Sequence, residues 1–417
     1  MRRAALVLLL LAGLAPAAPP SRLGALLSAY LAEDASVTRR EELLAEIRRA
    51  SDDDVGRVAA ALRAGEHFQR SEAPRFRVDG APPVFKGRNF RCEDCLGTIA
   101  GSAGRYARLI LPPQFDPKKT YALLMDIGSM PRRPTAGAVT VLLNPGMHAQ
   151  AAREAMAVER LVLGLIAHVT DLVAIDPDRV FLRGAGAYSE LVWYIGFQHP
   201  DRFAGIYCGP DFWPLAKTQA PHVSMFSIFT TSDPRGDPKL ESALLEFGRF
   251  TRALRLAVHP RAGAPGIEKL WKERDLWQQT TLRSRRVRRL ELVCVRPHAL
   301  RAHWARVVPK QRSRREKFVG RAWAIRELSN PDRRAARLSV RIDDKTPNLV
   351  HVKAENVVGF QIFIDPALFD PDKALRVSIN GGTPVARLID PDIADLLDDY
   401  RERRDPKLLY YDRLSFP

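Results

Sequence analysis

The 417-residue chain is poor in three things: it has four cysteines, fewer acidic than basic residues, and no long apolar run beyond its first 18 residues. Four cysteines cannot form a dense disulfide framework. Without a later apolar run, we expect no membrane span in the mature protein. The basic excess gives a formal charge of +17, which favours solubility and attraction to anionic surfaces but indicates no fold. The length suggests two or three domains.

The cysteines also argue against a metal or redox centre. Cys92 and Cys95 have the spacing of a redox motif but lie in a polar, glycine-containing stretch, whereas a redox pair normally opens a helix after a strand. We therefore predict a local disulfide between them, with pairs involving Cys208 or Cys294 left open. A zinc site would need ligands from several separated segments. We expect neither a metal nor another cofactor.

Residues 1–18 have the three parts of a secretory signal: an arginine pair, the apolar run Ala4–Leu14, and small residues ending at Ala17 or Ala18. Cleavage is expected after one of those two alanines. The mature protein is then exported, either periplasmic or secreted. No cysteine stands at the cleavage point, which argues against a lipid anchor.

Apolar periodicity divides the rest of the chain. Helical spacing predicts an N-terminal helical segment, including a helix whose start is indicated by Ser51–Asp54 and that stops at Gly65, and we expect this segment to pack against the domain after it. Strands that alternate with amphipathic helices then predict a parallel α/β sheet. Period-two alternation near the C-terminus predicts a β-rich module, a hairpin, a helix and a last strand near 408–411. The predicted boundaries are 1–18, 19–74, 75–282 (α/β domain), 283–335 (basic connection) and 336–417 (β-rich domain).

The most informative stretch is 173–215. Val180–Leu182 is a short β-prone run, Gly184–Tyr188 is a glycine-rich turn, and apolar residues at helical spacing come next. Strand, tight turn and helix are the context of a nucleophile elbow, in which a strained turn raises one side chain above the carboxyl ends of a parallel sheet.

This stretch resembles the α/β-hydrolase superfamily, in particular its exported esterase, polyester-depolymerase and prolyl-oligopeptidase-like branches. The resemblance rests on two flanking motifs, Asp-Pro-Asp-Arg-Val-Phe-Leu at 176–182 and His-Pro-Asp-Arg-Phe-Ala-Gly-Ile at 199–206. It implies a doubly wound, mostly parallel sheet and an elbow of the form Gly-x-Ser-x-Gly. Here the five positions are 184–188, and Gly186 stands where the nucleophile is expected.

The resemblance also implies positions for the other catalytic groups. The oxyanion loop at the end of an earlier strand has Ile127 where a histidine is expected, and only Gly128 of its glycines is retained. The expected general base falls on Ala264. Asp233 or Asp237 stands in the loop of the triad carboxylate.

Two hypotheses result. The first is a pseudoenzyme that binds a small molecule, a polymer or a protein partner in a pocket around Gly184, Tyr188 and Gly128, because an alcohol nucleophile and its base are both missing. The alternative is an active serine hydrolase, cleaving an ester or peptide bond, with a displaced triad of Ser189, Asp233 and His259. Ser189 lies about one helical turn beyond Gly186.

Residues 283–317 are rich in arginine and alternate with apolar positions. Such a segment is compatible with binding to nucleic acid or an anionic polysaccharide. We favour a solvated basic face and expect no nucleic-acid partner, because no nucleic-acid motif accompanies the arginines.

Overall fold

The computed structural model describes residues 21–32, 35–65, 84–85, 106–116, 118–128, 137–144, 151–184, 188–208, 224–230, 254–259, 267–294, 300–310 and 336–417. These residues form one large mixed sheet with helices, a two-sheet β-rich unit, and a group of helices that joins the two ends of the chain. Within them, no helix combines the length and apolar character needed to cross a membrane.

The large sheet has eight strands in the order β1-β2-β4-β3-β5-β6-β7-β8. β3 runs parallel to β4 and β5, and the parallel pairing continues through β6, β7 and β8, whereas β1 and β2 are antiparallel to their neighbours. The strands are β1 (Val84–Phe85), β2 (Tyr106–Ile110), β3 (Tyr121–Ile127), β4 (Ala138–Asn144), β5 (Ile175–Gly184), β6 (Gly205–Cys208), β7 (Ser224–Thr230) and β8 (Leu254–His259).

Helices pack against this sheet because its parallel strands are apolar on both faces. Helices α4 (Ala151–Leu172) and α5 (Ser189–Gln198) share a core with Leu182 of β5. Helix α6 (Ile267–Thr280) packs through Trp277 against Phe181, the neighbouring residue of β5, with ring centroids 5.5 Å apart. Successive residues of a strand point to opposite faces, so α6 lies on the face opposite α4 and α5.

The β-rich unit is built from two sheets around a second core. Its four-stranded sheet has the order β10-β11-β14-β17 and its five-stranded sheet has the order β16-β15-β13-β12-β9. The strands are β9 (Arg289–Cys294), β10 (Leu300–Ala302), β11 (Ala305–Pro309), β12 (Ala336–Ile342), β13 (Leu349–Glu355), β14 (Val357–Phe363), β15 (Leu375–Ile379), β16 (Val385–Arg387) and β17 (Arg413–Phe416).

The β-rich unit begins before residue 336. β9 pairs antiparallel with β12, and β11 pairs antiparallel with β14, so the segment 283–335 supplies strands to both sheets and does more than connect two domains. The alternation of buried and exposed residues in β9 explains why this segment joins the sheet: Leu290 and Leu292 are buried, while Arg289 is exposed. The arginines dominate the composition, but the apolar face of the strand decides where it packs.

Two predictions near the C-terminus had different outcomes. The hairpin is present, because β15 and β16 pair antiparallel on either side of the turn at Asn380 and Gly381. The last strand is not at 408–411 but at β17. Leu408 and Tyr410 enter one core and Leu409 enters another, so the apolar run reflects a loop buried between two cores.

The N-terminal helices are α1 (Arg22–Leu31), α2 (Val37–Ser51) and α3 (Val55–Ala64). Within the predicted start at 51–54, Asp54 caps α3, whereas Ser51 is the last residue of α2; Gly65, with φ +70°, ends α3 as predicted. Among the described residues, the core of these helices is shared not with the α/β domain, as was expected, but with α7 (Ile393–Arg403) near the C-terminus. Its apolar stripe Ile393, Leu396, Leu397 and Tyr400 is buried there.

Candidate functional site

The ends of β3 and β5 meet at one edge of the large sheet. Ile127 and Gly184 are the last residues of these strands and are paired in register. The structure therefore brings together two of the residues that sequence reasoning selected. Ile127 is fully buried, so its side chain serves the core and offers nothing to a ligand.

Gly184 is required by the tight passage from β5 to α5. A Cβ atom at this position would lie 2.7 Å from Cγ2 of Val192 and 2.9 Å from the carbonyl oxygen of Tyr188. Such distances are shorter than van der Waals contact, so only glycine allows α5 to pack this close to the strand end.

Gly128 is held between the sheet and an aromatic ring. Its φ is +72°, and its backbone N–H donates to the carbonyl oxygen of Leu143, with an N···O distance of 2.8 Å. A Cβ at Gly128 would lie 2.0 Å from Cδ2 of Tyr188, so the tyrosine ring lies directly against this glycine. Burial raises the pKa of the Tyr188 phenol. The one retained glycine of the expected oxyanion loop thus has its amide bonded to Leu143 and an aromatic ring against it.

Two members of the displaced triad, Ser189 and His259, lie in described elements. Ser189 is the first residue of α5 and has no exposed surface. His259 is the last residue of β8, which is separated from β5 by β6 and β7. Gly186, Ala264, Asp233, Asp237, Cys92 and Cys95 lie outside the described residues.

The two flanking motifs turn out to hold the C-terminal part of the chain. Arg283, which comes after α6, is 1% exposed in its side chain and pairs with Asp178 at 3.1 Å and with Asp405. Arg403 pairs with Asp201 at 2.6 Å, and Lys407 pairs with Asp178 at 2.8 Å. The carboxylates of both motifs are therefore used in buried ion pairs across the molecule.

These buried pairs shift the pKa of the carboxyl groups. Burial alone raises the pKa of Asp405, but the charge and hydrogen bond of Arg283 outweigh it, so the pKa lies below its usual value. At Asp201 burial again opposes ionisation, and the charges of Arg403, His303 and His199 outweigh it, so the pKa is also lowered. Both groups are ionised at neutral pH.

A further buried cluster lies between α4 and the residues after α5. Glu159, which is 3% exposed, accepts a hydrogen bond from the Tyr194 hydroxyl at 2.8 Å and contacts Nε2 of His199. His199 is the first residue of the second flanking motif, and its contact with Glu159 gives it a structural role. Sequence reasoning missed Glu159 because a single acid in an amphipathic helix carries no spacing signal.

A second cleft at the same sheet edge was also missed. It lies between α6 and the ends of β3, β5 and β6, and its charged lining residues are Arg183 and Arg274. Among the described residues, no three His, Cys, Asp or Glu side chains come together in a way that could hold a metal ion.

No family model matches the sequence, and no curated protein matches it significantly. Solved structures that match part of this chain include a thermostable esterase, with 13% sequence identity and a TM-score of 0.33; the match covers 43% of this chain and 60% of the esterase. Porphyromonas gingivalis dipeptidyl peptidase 4 matches with 12% sequence identity and a TM-score of 0.35. This match covers 43% of this chain and 34% of the peptidase. Dienelactone hydrolase from Anabaena variabilis matches with 16% sequence identity and a TM-score of 0.32. This match covers 44% of this chain and 94% of the hydrolase.

The chain thus spans less than two thirds of the esterase and about a third of the peptidase. These matched structures are named as an esterase, dipeptidyl peptidases and a dienelactone hydrolase, and those activities are said of the matched proteins alone.

Proposed function

We propose that this chain is an exported protein with a doubly wound α/β-hydrolase fold, of serine esterase or peptidase lineage, that lacks hydrolase activity and acts by binding a ligand or partner. The observation that carries the proposal is Gly128. Its amide is bonded to Leu143 and its surface is covered by the Tyr188 ring.

The chemistry of acyl transfer explains why this matters. A serine hydrolase needs an activated hydroxyl and amides aimed at the oxyanion, and loss of either leaves only residual catalysis. At the elbow position the sequence has Gly186, which has no side chain to acylate. Among the described residues, the Gly128 amide donates to the Leu143 carbonyl oxygen and is therefore not available to an oxyanion.

The alternative is an active hydrolase that uses Ser189. A nucleophile must reach its substrate, and Ser189 is 0% exposed in a helix that packs on the sheet. We therefore prefer the non-catalytic proposal.

A fluorophosphonate probe tests the choice directly. The folded protein is incubated with the probe beside a Ser189→Ala variant and an active serine esterase as a positive control. We expect no labelling of either form of this chain. Labelling that disappears in Ser189→Ala would overturn the proposal and identify a displaced nucleophile.

Export is the second part of the proposal, and it rests on residues 1–18. Expression of the full chain in a bacterium, with N-terminal sequencing of the protein found outside the cytoplasm, tests it. We expect a mature N-terminus after Ala17 or Ala18. Full-length protein retained in the cytoplasm would contradict export without affecting the binding proposal.

The arginine-rich segment gives little support to a basic binding surface. Arg283 and Arg301 are used internally, since Arg283 pairs with Asp405 and Arg301 pairs with Asp399, with all four side chains largely buried. Other members remain exposed, including Arg289. We expect retention on heparin no stronger than bulk charge predicts, with a shallow dependence on salt.

A further inference from the structure

The cleft beneath α6 lies on the opposite face of the sheet from Tyr188. Phe181 and Arg183 of β5 point toward α6, whereas Leu182 points toward α4 and α5. The cleft is therefore separate from the elbow, and a ligand site in it does not depend on the proposed lack of catalysis.

A row of paired residues forms the floor of the cleft. Asp126, Arg183 and Tyr207 stand side by side on β3, β5 and β6, each in register with the next. Arg183 and Asp126 form an ion pair at 3.4 Å with side chains 7% and 2% exposed. The Arg183 guanidinium also lies over the Tyr207 ring, 5.4 Å from its centroid. These contacts hold the guanidinium in place beside the cleft.

The roof of the cleft adds a second guanidinium. Arg274, Trp277 and Gln278 lie three and four residues apart on α6 and so share one face of the helix. The Arg274 guanidinium lies 5.9 Å from the centroid of Tyr207, so this ring has a cation from the floor and another from the roof. Two positive charges thus converge on one small space.

Gln278 indicates that the cleft takes a hydrogen-bond acceptor. Its side chain lines the cleft and the residue is only 7% exposed. Within the described part of the chain its Nε2 atom has no hydrogen-bond partner. A buried amide donor is normally satisfied, and a ligand is one of the groups that can satisfy it.

The charges favour an anion. Asp126 lies in the floor and is paired with Arg183, and Asp275, the partner of Arg274, is 43% exposed and so screened by solvent. The lining residues Leu124 and Phe181 are apolar, and those that carry N–H donors are Arg183, Arg274, Trp277 and Gln278. Its enclosed part has room for about one water molecule, which fits one oxygen of a carboxylate.

We propose that this cleft is a binding site for a small carboxylate anion, with Arg183, Arg274 and Gln278 as donors to its oxygen atoms. Bidentate or paired charge-assisted hydrogen bonds make arginine suited to this group.

Calorimetric titration of the full-length chain with sodium acetate tests the proposal, with sodium chloride at equal ionic strength as the second arm. We expect saturable acetate binding that chloride does not reproduce. Saturable binding of chloride with equal affinity would overturn the carboxylate assignment, and no saturable binding of acetate would overturn the site.

Variants place the binding in the cleft. Arg274→Met should weaken acetate binding by roughly 10-fold to 100-fold, because one charge-assisted hydrogen bond is lost. Gln278→Leu should weaken it less and should raise the melting temperature of the ligand-free protein, since the unpartnered amide is removed. Arg289→Met, at a position whose side chain is 69% exposed, is the matched control and should bind as the parent does. Unchanged affinity in both Arg274→Met and Gln278→Leu would refute this location.

Discussion

At the scale of single residues, two glycines hold the elbow region in its observed form. Gly184 allows α5 to approach the end of β5, and Gly128 accepts the ring of Tyr188 in a backbone conformation that L-residues rarely adopt. Because the Tyr188 ring lies against it, Gly128 leaves less room for a side chain than Gly137, whose φ is also positive.

Gly128→Ala should destabilise the protein by about 2–5 kcal/mol, because the positive φ costs about 1–2 kcal/mol and the clash with Tyr188 costs a further 1–3 kcal/mol. Gly137→Ala is the control: its φ is +74°, and no described atom lies within 4 Å of the added Cβ. It should show only the smaller cost. Urea unfolding measures both.

The contact between Gly128 and the Tyr188 ring can be tested by repeating both glycine substitutions without the ring. In a Tyr188→Ala background, the excess cost of Gly128→Ala over Gly137→Ala should largely disappear, since the clashing ring is gone. If the excess is the same in both backgrounds, the ring does not lie on Gly128 in solution.

At the scale of elements, the N-terminal helices complete a core that the C-terminal helix cannot close alone. Leu27, Ile47 and Val58 from three successive helices meet Leu396 of α7 in one cluster. An amphipathic helix of 11 residues is marginal in isolation, so α7 depends on these partners.

Ile47→Ala should therefore lower the free energy of unfolding by about 2–5 kcal/mol, because a fully buried side chain is removed. Val37→Ala is the matched control in the same helix, since Val37 is 70% exposed. It should change stability by less than about 0.5 kcal/mol. Equal effects of the two substitutions in thermal or urea unfolding would show that α2 is not docked.

At the scale of the whole molecule, buried ion pairs tie the large sheet to the end of the chain. Arg283 sits between Asp178 of β5 and Asp405, which comes after α7. Arg403, the last residue of α7, reaches Asp201 before β6. These contacts couple units that sequence patterns alone divide into separate domains.

Arg283→Met should destabilise the protein by about 3–5 kcal/mol, because it leaves the buried carboxylate of Asp405 without its ion-pair partner and removes one of the cations beside Asp178. Arg288→Met is the control, since the pair of Arg288 with Asp344 is exposed. We also expect calorimetry to show one unfolding transition in the parent chain and a broadened or divided transition in Arg283→Met. A single, unshifted transition in that variant would contradict the coupling.

The same pairs predict sensitivity to acid. The folded-state pKa values of Asp201 and Asp405 lie below the value of about 3.9 for an unfolded aspartate. Their contribution is therefore complete above that value and is lost as the pH falls through the lowered folded-state values. The free energy of unfolding should decrease as the pH falls below about 4, and Asp405→Asn should weaken that dependence. Urea unfolding between pH 7 and pH 2 measures both, and an identical acid slope in the variant would contradict the assignment.

Much of the local structure was predictable because it depends on periodicity and turn residues. β3, β5 and α4 arise from apolar spacing, and the hairpin at Asn380 arises from its turn residues. The start and stop of α3 are set by Asp54 and Gly65. The sheet order and the partner of the N-terminal helices were not predictable in this way, because they depend on contacts between distant segments.

The sequence by itself determined the strongly periodic elements, such as β5 and α4, and that the elbow position is occupied by Gly186, because these depend on residue identity and short-range spacing. Only the tertiary structure decided what the two charged flanking motifs touch, what covers Gly128, and which arginines face one cleft. Asp178 and Asp405 share Arg283 although they lie 105 and 122 residues away from it along the chain. Ion pairs and ring contacts act over a few ångströms, and no local pattern specifies which distant residues chain folding brings to that distance.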